Sequence, residues 1–426
     1  MKIAVIGSGI AGNVAAWQLC REFDITVFES GSHVGGHTHT HDIVLDGRSY
    51  AIDTGFIVYN DWTYPNFIAL LDELGIESQP TNMGFSSRCD NSGIEYNGSS
   101  LNGLFAQRRN LLRPRFHGMI RDILRFNRES RALLDIDDDD LTLAEYLRDN
   151  NYGRLFIDNY IVPMGAAIWS TDPQQMLDFP ACYFIRFFVN HGLLNIRERP
   201  QWRVIKGGSR EYVRTLTAPF RDRIRTNQAV TAVKRTPGHV EVRTSTGRVE
   251  RFDHVFIASH SDQALRMLSD PDRFEREVLG AIPYQNNDVV LHTDTSLLPE
   301  HRRTWAAWNY RRSSDTRQRV SVTYNMNMLQ GIDAAETFCV TLNDDTGNID
   351  PERILRRMQY DHPVFTPRGV AAQQRHADIN GRQRTWYCGA YWRYGFHEDG
   401  VVSALNAVKH FREYLEHAQP SLRRAG

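Results

Sequence analysis

Residues 2–19 read KIAVIGSGIAGNVAAWQL: a short β-branched run, a glycine-rich turn and a helical pattern. Gly7, Gly9 and Gly12 stand in GxGxxG spacing. In such a turn the first glycine allows a tight bend, the second lets the backbone approach a diphosphate, and the third lets helix pack closely on strand. The helix that opens at Ile10 and Ala11 offers unpaired N–H groups and a positive dipole end to phosphate oxygens. A second strand, DITVFE (24–29), ends at Glu29. That is about the 20-residue distance at which a carboxylate meets ribose hydroxyls. The stretch therefore predicts a doubly wound α/β domain that binds a dinucleotide.

The next residues separate one dinucleotide from another. After Glu29 and Ser30 the chain continues to a glycine doublet, Gly35-Gly36. This is a second point of close backbone approach, which simple NAD domains lack. Asp53 and Gly55 follow a further strand, and a helix is expected from about Tyr64 to Leu74. The doublet opens GGHTHTHD (35–42), whose three histidines invite a metal reading. A strand rises about 3.4 Å per residue, which would set His37 and His41 roughly 13–14 Å apart, too far to share an ion. No carboxylate or thiolate partner is evident, so no metal is expected, and His39 and His41 read as strand residues.

The composition of the whole 426-residue chain narrows the class. A hydrophobic fraction of 41% and an aromatic fraction of 11% suit a globular chain with a sizeable interior. A formal net charge of −1 gives no reason to expect nucleic acid as a partner. The five cysteines, Cys20, Cys89, Cys182, Cys339 and Cys388, form no CxxC pair and fit a reducing compartment. No apolar run reaches the roughly 18–20 residues that span a bilayer, and a strand beginning at Lys2 leaves no room for a signal peptide. A cytoplasmic location is expected, or a peripheral one at the inner face of the membrane. No Ser/His/Asp triad, Walker loop or HExxH helix is present, which suits an enzyme whose cofactor carries the chemistry.

Later stretches keep the same direction. VIKGGSREYVRTL (204–216), RTNQAVTAVKRT (225–236), FDHVFIASHSDQAL (252–265) and WYCGAYWRYGFHEDGVVSAL (386–405) follow in order. Together with the N-terminal glycines they resemble the flavin amine oxidase and carotenoid desaturase superfamily over nearly the whole chain. Within it, VPMGAAIWS (162–170) and FFVNHGLL (187–194) are similar to bacterial amine-oxidase-like flavoproteins often encoded beside cyclopropane fatty acid synthases.

The resemblance implies a Rossmann-type α/β FAD-binding domain of the amine oxidase fold with an interleaved α+β substrate domain. FAD-binding pieces are expected at 1–77, 201–279 and 384–426, and substrate-domain pieces at 78–200, mainly helical, and 280–383, mainly sheet. FAD would be non-covalent, since Cys388 is not where the linking cysteine of some amine oxidases sits. Gly7, Gly9, Ile10, Ala11 and Gly12 would surround the diphosphate, and Glu29 with Ser30 would hold the adenosine ribose. Gly35 and Gly36 would pass the phosphates and ribityl chain. His37 takes the place where amine oxidases usually have Arg, and it is not permanently charged. Gly55 and Phe56 would run along the isoalloxazine, Val230 would bond adenine, and Gly389 would sit near the ribityl chain. Glu398, Asp399, Gly400 and Val401 would open the last helix under the flavin pyrimidine ring, with Asp399 capping that helix. Tyr391 replaces an acid common in relatives. The strand YQNNDVVLHTD (284–294) lacks the lysine that often holds water at flavin N5, which counts against a plain amine oxidase.

Tyr160, Met164, Trp169 and Phe188 are expected to line an apolar channel. The DIDDDD run (135–140) is expected to be a solvated turn before the helix LTLAEYLRDN. The arginine-rich segment 104–134 is read as a basic amphipathic element. Ile120, Ile123, Leu124 and Leu134 are placed on one face and Arg121, Arg125 and Arg128 on another, suited to a membrane surface. The expected activity is FAD-dependent dehydrogenation, desaturation or isomerisation of a fatty acyl or lipid substrate. Two alternatives stand beside it: an amine oxidase that releases hydrogen peroxide, and a non-catalytic flavin-binding partner of a lipid-modifying methyltransferase.

Overall fold

The computed structural model describes all residues except 137–139, 170, 172, 314–320, 345–346 and 419–426. Residues 137–139 of the acidic run therefore lie outside the described residues.

Five parallel strands form the dinucleotide-binding sheet, in the order Ile224–Arg225, Asp24–Phe28, Lys2–Ile6, His254–Ile257, Thr385–Tyr387. The central strand is covered on both faces, as its continuous apolar run requires. Ile3 and Val5 enter the core beneath the first helix, Ile10–Leu19, and the last helix, His397–Ala418. Ala4 and Ile6 enter a second core beneath the antiparallel meander Val230–Arg235, Val240–Thr244, Val249–Phe252. Strand periodicity thus assigns alternate residues of one five-residue run to two different cores.

The substrate domain is built on a seven-stranded sheet. Its order is Ile354–Pro363, Tyr284–His292, Cys339–Leu342, Ser321–Asn325, Trp308–Arg312, Phe85–Cys89, Ile94–Asn97. The last two strands come from the segment expected to be mainly helical. Ser86 and Ser87 are buried there, so the run shows no apolar alternation. Helices Pro114–Glu129, Leu143–Asp149, Val162–Trp169 and Ala181–Asn190 surround an aromatic core that includes Phe116, Phe126, Phe156, Phe179 and Phe184. Thr142 and Glu145 form a capping box at the start of Leu143–Asp149.

Helices Pro367–Gln373 and His376–Ile379 pack against Arg273–Leu279, and Ala372 and Ile379 join the core of Val278 and Leu279. The chain thus returns to the dinucleotide-binding domain before the expected boundary at 383–384.

The basic segment meets expectation in part: Ile120, Ile123 and Leu134 pack against the aromatic core, and Leu124 does not. Helix Pro114–Glu129 turns Phe116, Met119 and Phe126 inward, at helical spacing, while Leu124 is 48% exposed. Leu134 lies in the next turn, Ser130–Asp135. Most of the apolar side faces the aromatic core, because aromatic residues bury more area than the expected aliphatic stripe. Arg125 lies over the Tyr152 ring at 4.0 Å and pairs with Asp122 at 3.5 Å, so it is not a free surface charge. No helix of the described residues is long and apolar enough to cross a membrane.

Candidate functional site

A cavity of about 790 Å³ runs from the glycine turn toward the seven-stranded sheet. Such a volume lies in the range of cofactor and substrate sites. Gly7, Gly9, Ile10, Ala11, Glu29, Ser30, Gly35, Gly36, His37, Gly55, Phe56, Val230 and Gly389 all line it.

The three glycines of the first turn differ in kind. Gly7 has φ +102°, a conformation that L side chains rarely adopt. A Cβ on Gly12 would stand 2.0 Å from the Gly7 carbonyl oxygen, so this residue serves helix–strand packing and does not line the cavity. A Cβ on Gly9 would meet nothing within 4 Å, leaving the backbone open to a ligand. The Gly35-Gly36 doublet closes on the first turn, since a Cβ on Gly36 would lie 3.0 Å from the Gly9 Cα. Glu29 is fixed by donation from Ser8 N at 3.0 Å, Ser8 Oγ at 2.5 Å and Gly31 N at 2.8 Å.

Around the middle of the cavity the walls are aromatic and imidazole. Phe56 stacks on His397 with ring centroids 3.4 Å apart. His397 Nε2 is 2.9 Å from both Thr38 Oγ1 and Tyr212 OH, and burial pushes its pKa down to about 3. The His37 ring lies 5.2 Å from Tyr360, 5.3 Å from His362 and 5.9 Å from His260. Asn287 Nδ2 lies 2.8 Å from His362 Nδ1, while Asn287 Oδ1 accepts from Gln285 Nε2 and Asn343 Nδ2. The amide nitrogen is therefore the donor, so His362 carries its proton on Nε2. His33 stacks on His39 and His41 tilts against His39, each with ring centroids 4.0 Å apart. Among the described residues no group of three or more His, Cys, Asp or Glu side chains is placed to hold a metal.

Four positions in the closing motif do not reach the cavity. The Glu398 carboxylate accepts from Asn66 N, Asn66 Nδ2 and Phe67 N at 3.1, 2.6 and 2.8 Å, capping helix Pro65–Leu74. Asp399 Oδ2 accepts from Phe396 N at 2.9 Å, and burial raises its pKa to about 7. A Cβ on Gly400 would lie 2.6 Å from Ile10 Cγ2, and Val401 is buried in the dinucleotide-domain core. These residues position the helix start, while Gly395, Phe396 and His397 form the wall. The Tyr391 ring covers Gly389, where a Cβ would come within 2.3 Å of it.

Of the four expected substrate residues, Trp169 lines the cavity. Tyr160 stacks on Phe156 at 5.6 Å, Phe188 stacks on Phe184 at 4.3 Å, and Met164 packs against the same aromatic core. Only Ile168 and Trp169, at the end of helix Val162–Trp169, face the cavity, because its other sides meet the aromatic core and, at Ala166 and Ala167, the seven-stranded sheet. Residues not anticipated at the apolar end include Ile57, Val58, Val289, Leu342 and Phe365. Strand alternation in Tyr284–His292 is the signal that marks Val289.

The profile of the family described as Flavin containing amine oxidoreductase matches residues 10–357, well over half of the chain. The chain belongs to this family. No curated protein sequence matches it. Among solved structures, cyclohexylamine oxidase from Brevibacterium oxydans IH-35A superposes with TM-score 0.69 at 15% identity, covering 97% of this chain and 99% of that one. A CLA-producing fatty acid isomerase from P. acnes gives TM-score 0.67 at 17% identity, covering 96% and 98%. A putative protoporphyrinogen oxidase from Exiguobacterium sp. 255-15 gives TM-score 0.67 at 18% identity, covering 96% and 98%. At such identities these structures share the fold. Family membership makes the chain an FAD-dependent oxidoreductase. The open backbone at Gly9, the clasp of Gly36 on Gly9 and the unpartnered buried Nε2 of His37 fit a bound flavin dinucleotide.

Proposed function

We propose that this family member acts on an apolar substrate, a fatty acyl chain or lipid, by dehydrogenation or double-bond isomerisation. The observation that carries the reading is the far end of the cavity. Ile57, Val58, Val289, Leu342 and Phe365 line it with Trp169 and Trp308, and among the described residues the only carboxylates in the lining are Glu29 and Asp361. Glu29 is held by the glycine turn and Asp361 accepts from Asn286 Nδ2 at 2.7 Å, so neither serves a distal ammonium at the apolar end. Among the described residues no lysine lines the cavity.

Bound FAD supplies the two-electron acceptor. The chain itself excludes water from the reacting carbon with its apolar wall and fixes the Phe56–His397 stack through Thr38 and Tyr212. His362 presents Nε2–H without moving, because Asn287 fixes its tautomer. Incubation with unsaturated fatty acids and phospholipids, followed by mass-spectrometric location of double bonds, tests the reading. Unchanged lipid, with hydrogen peroxide released from amines, would replace it with amine oxidation.

We also propose that the basic segment meets anionic lipid. Leu111 and Leu112 are 49% and 88% exposed beside the exposed Arg108, Arg109 and Arg115. Such a surface would bring the enzyme to its substrate pool.

A further inference from the structure

The diphosphate of a flavin dinucleotide brings two negative charges to the glycine turn. The helix Ile10–Leu19 opposes them with about half a unit charge at its N-terminus. Among the described residues Glu29 and Asp361 line the same cavity, no lysine does, and the single lining arginine, Arg266, pairs with Asp262 at 2.6 Å. The fixed charges alone leave the anion undercompensated.

Three imidazoles flank that turn, and His33 Nε2 already lies 2.9 Å from the Gly36 carbonyl oxygen, which leaves His37 and His260. His37 follows Gly36, whose Cβ position touches Gly9, and its own Nε2 is buried with no hydrogen-bond partner. His260 lies two residues beyond Ala258, whose carbonyl oxygen would meet a Cβ on Gly7 at 3.0 Å. His260 lines the cavity and stacks on Tyr284 at 4.6 Å, and among the described residues neither of its ring nitrogens has a hydrogen-bond partner. We propose that His37 and His260 together form the cationic half of the diphosphate site, one imidazole taking up a proton from solvent as the dinucleotide binds. This rests on the FAD reading and deepens it: affinity for the cofactor becomes linked to pH.

The groups facing the pair explain the direction. His37 is held well below the usual histidine range by burial, and then by His362, His260 and His397, with the Asp361 backbone opposing. His260 is lowered by burial and, less, by Arg266, with Asp262 and Asp361 opposing. Tyr360 and Tyr284 add no charge to the site at neutral pH. Without ligand both rings are therefore neutral near pH 7. A nearby diphosphate favours the charged form. A folded-state proton affinity raised by the ligand means that binding strengthens as pH falls through the window between the free and bound values. His37 and His260 rings are 5.9 Å apart, so protonation of one suppresses the other, and uptake approaches one proton.

The experiment is release and rebinding of FAD by the full-length protein across about pH 6 to 8, read by flavin fluorescence, with calorimetry in two buffers of different ionisation enthalpy. The expected Kd rises up to about tenfold per pH unit, with uptake near one proton. Riboflavin, which shares the ring system and lacks phosphate, is expected to bind without proton uptake. His37→Gln and His260→Gln, alone and together, keep hydrogen-bonding capacity but cannot charge, and the double variant is expected to lose the pH dependence. An invariant Kd in the native protein, equal uptake with riboflavin, or a pH dependence that survives the double variant would each overturn the proposal. Failure to bind FAD at any pH would remove the cofactor reading as well, so the two failures are distinguishable.

Discussion

Gly9 and Gly12 stand three residues apart, yet alanine at each should do opposite things. At Gly9 the backbone is extended with φ −69°, and a Cβ meets no atom within 4 Å. Alanine there loses N-cap preference by a few tenths to about 1 kcal/mol, and gains about 0.4–1 kcal/mol by restricting the unfolded chain. The two effects cancel to within their size, so cofactor-free Gly9→Ala should unfold close to the native protein. At Gly12 the same methyl falls 2.0 Å from the Gly7 carbonyl oxygen. Overpacking of this severity costs at least about 1–3 kcal/mol. The methyl at Gly9 points into the space a diphosphate needs, and weakening of FAD on the order of a hundredfold is expected. With FAD at about 100 times the native Kd, ligand stabilisation is about 2.7 kcal/mol for the native chain and about 0.4 kcal/mol for Gly9→Ala. Thermal unfolding with and without added FAD reads both quantities. A Gly9→Ala protein that gains as much from FAD as the native chain would refute the placement of the diphosphate.

Other expectations follow from the same contacts. Glu398→Ala leaves Asn66 and Phe67 backbone donors unpaired and should cost about 1–3 kcal/mol in denaturant unfolding, with little change in the flavin spectrum. Phe188→Ala should cost about 3–5 kcal/mol in stability while leaving substrate preference intact. Trp169→Ala should shift substrate preference in a chain-length series, because this side chain faces the cavity. Asp399 is held protonated up to about pH 7 by burial, against an ordinary value of 3.8. Between those values the folded state binds the extra proton, so its contribution favours folding at low pH and is lost as pH rises through about 4 to 7. Asp399→Asn should flatten that part of the stability–pH curve of the apoprotein. In liposome flotation the protein should rise with anionic vesicles and stay behind with neutral ones, less so for Leu112→Glu.

The dinucleotide half was legible in sequence because its demands are local. A turn that needs φ +102° at Gly7 and tolerates no Cβ at Gly12 writes glycine into fixed positions. Glu398 misled because its partners, Asn66 and Phe67, lie in a different helix over 300 positions away, and nothing local distinguishes a capping carboxylate from a cofactor ligand. Tyr160, Met164 and Phe188 share the composition of a channel wall, but which side of a helix meets core and which meets cavity is set by packing. The histidine pair emerged only when strand Ile354–Pro363 and the loop after His254–Ile257 brought His362 and His260 beside His37.

The account is tested most directly by anaerobic mixing of the purified, FAD-loaded protein with fatty acyl lipids in one cell and amines in another, following the flavin absorbance. The account predicts bleaching by a lipid fraction and none by amines. Bleaching by amines alone would contradict it.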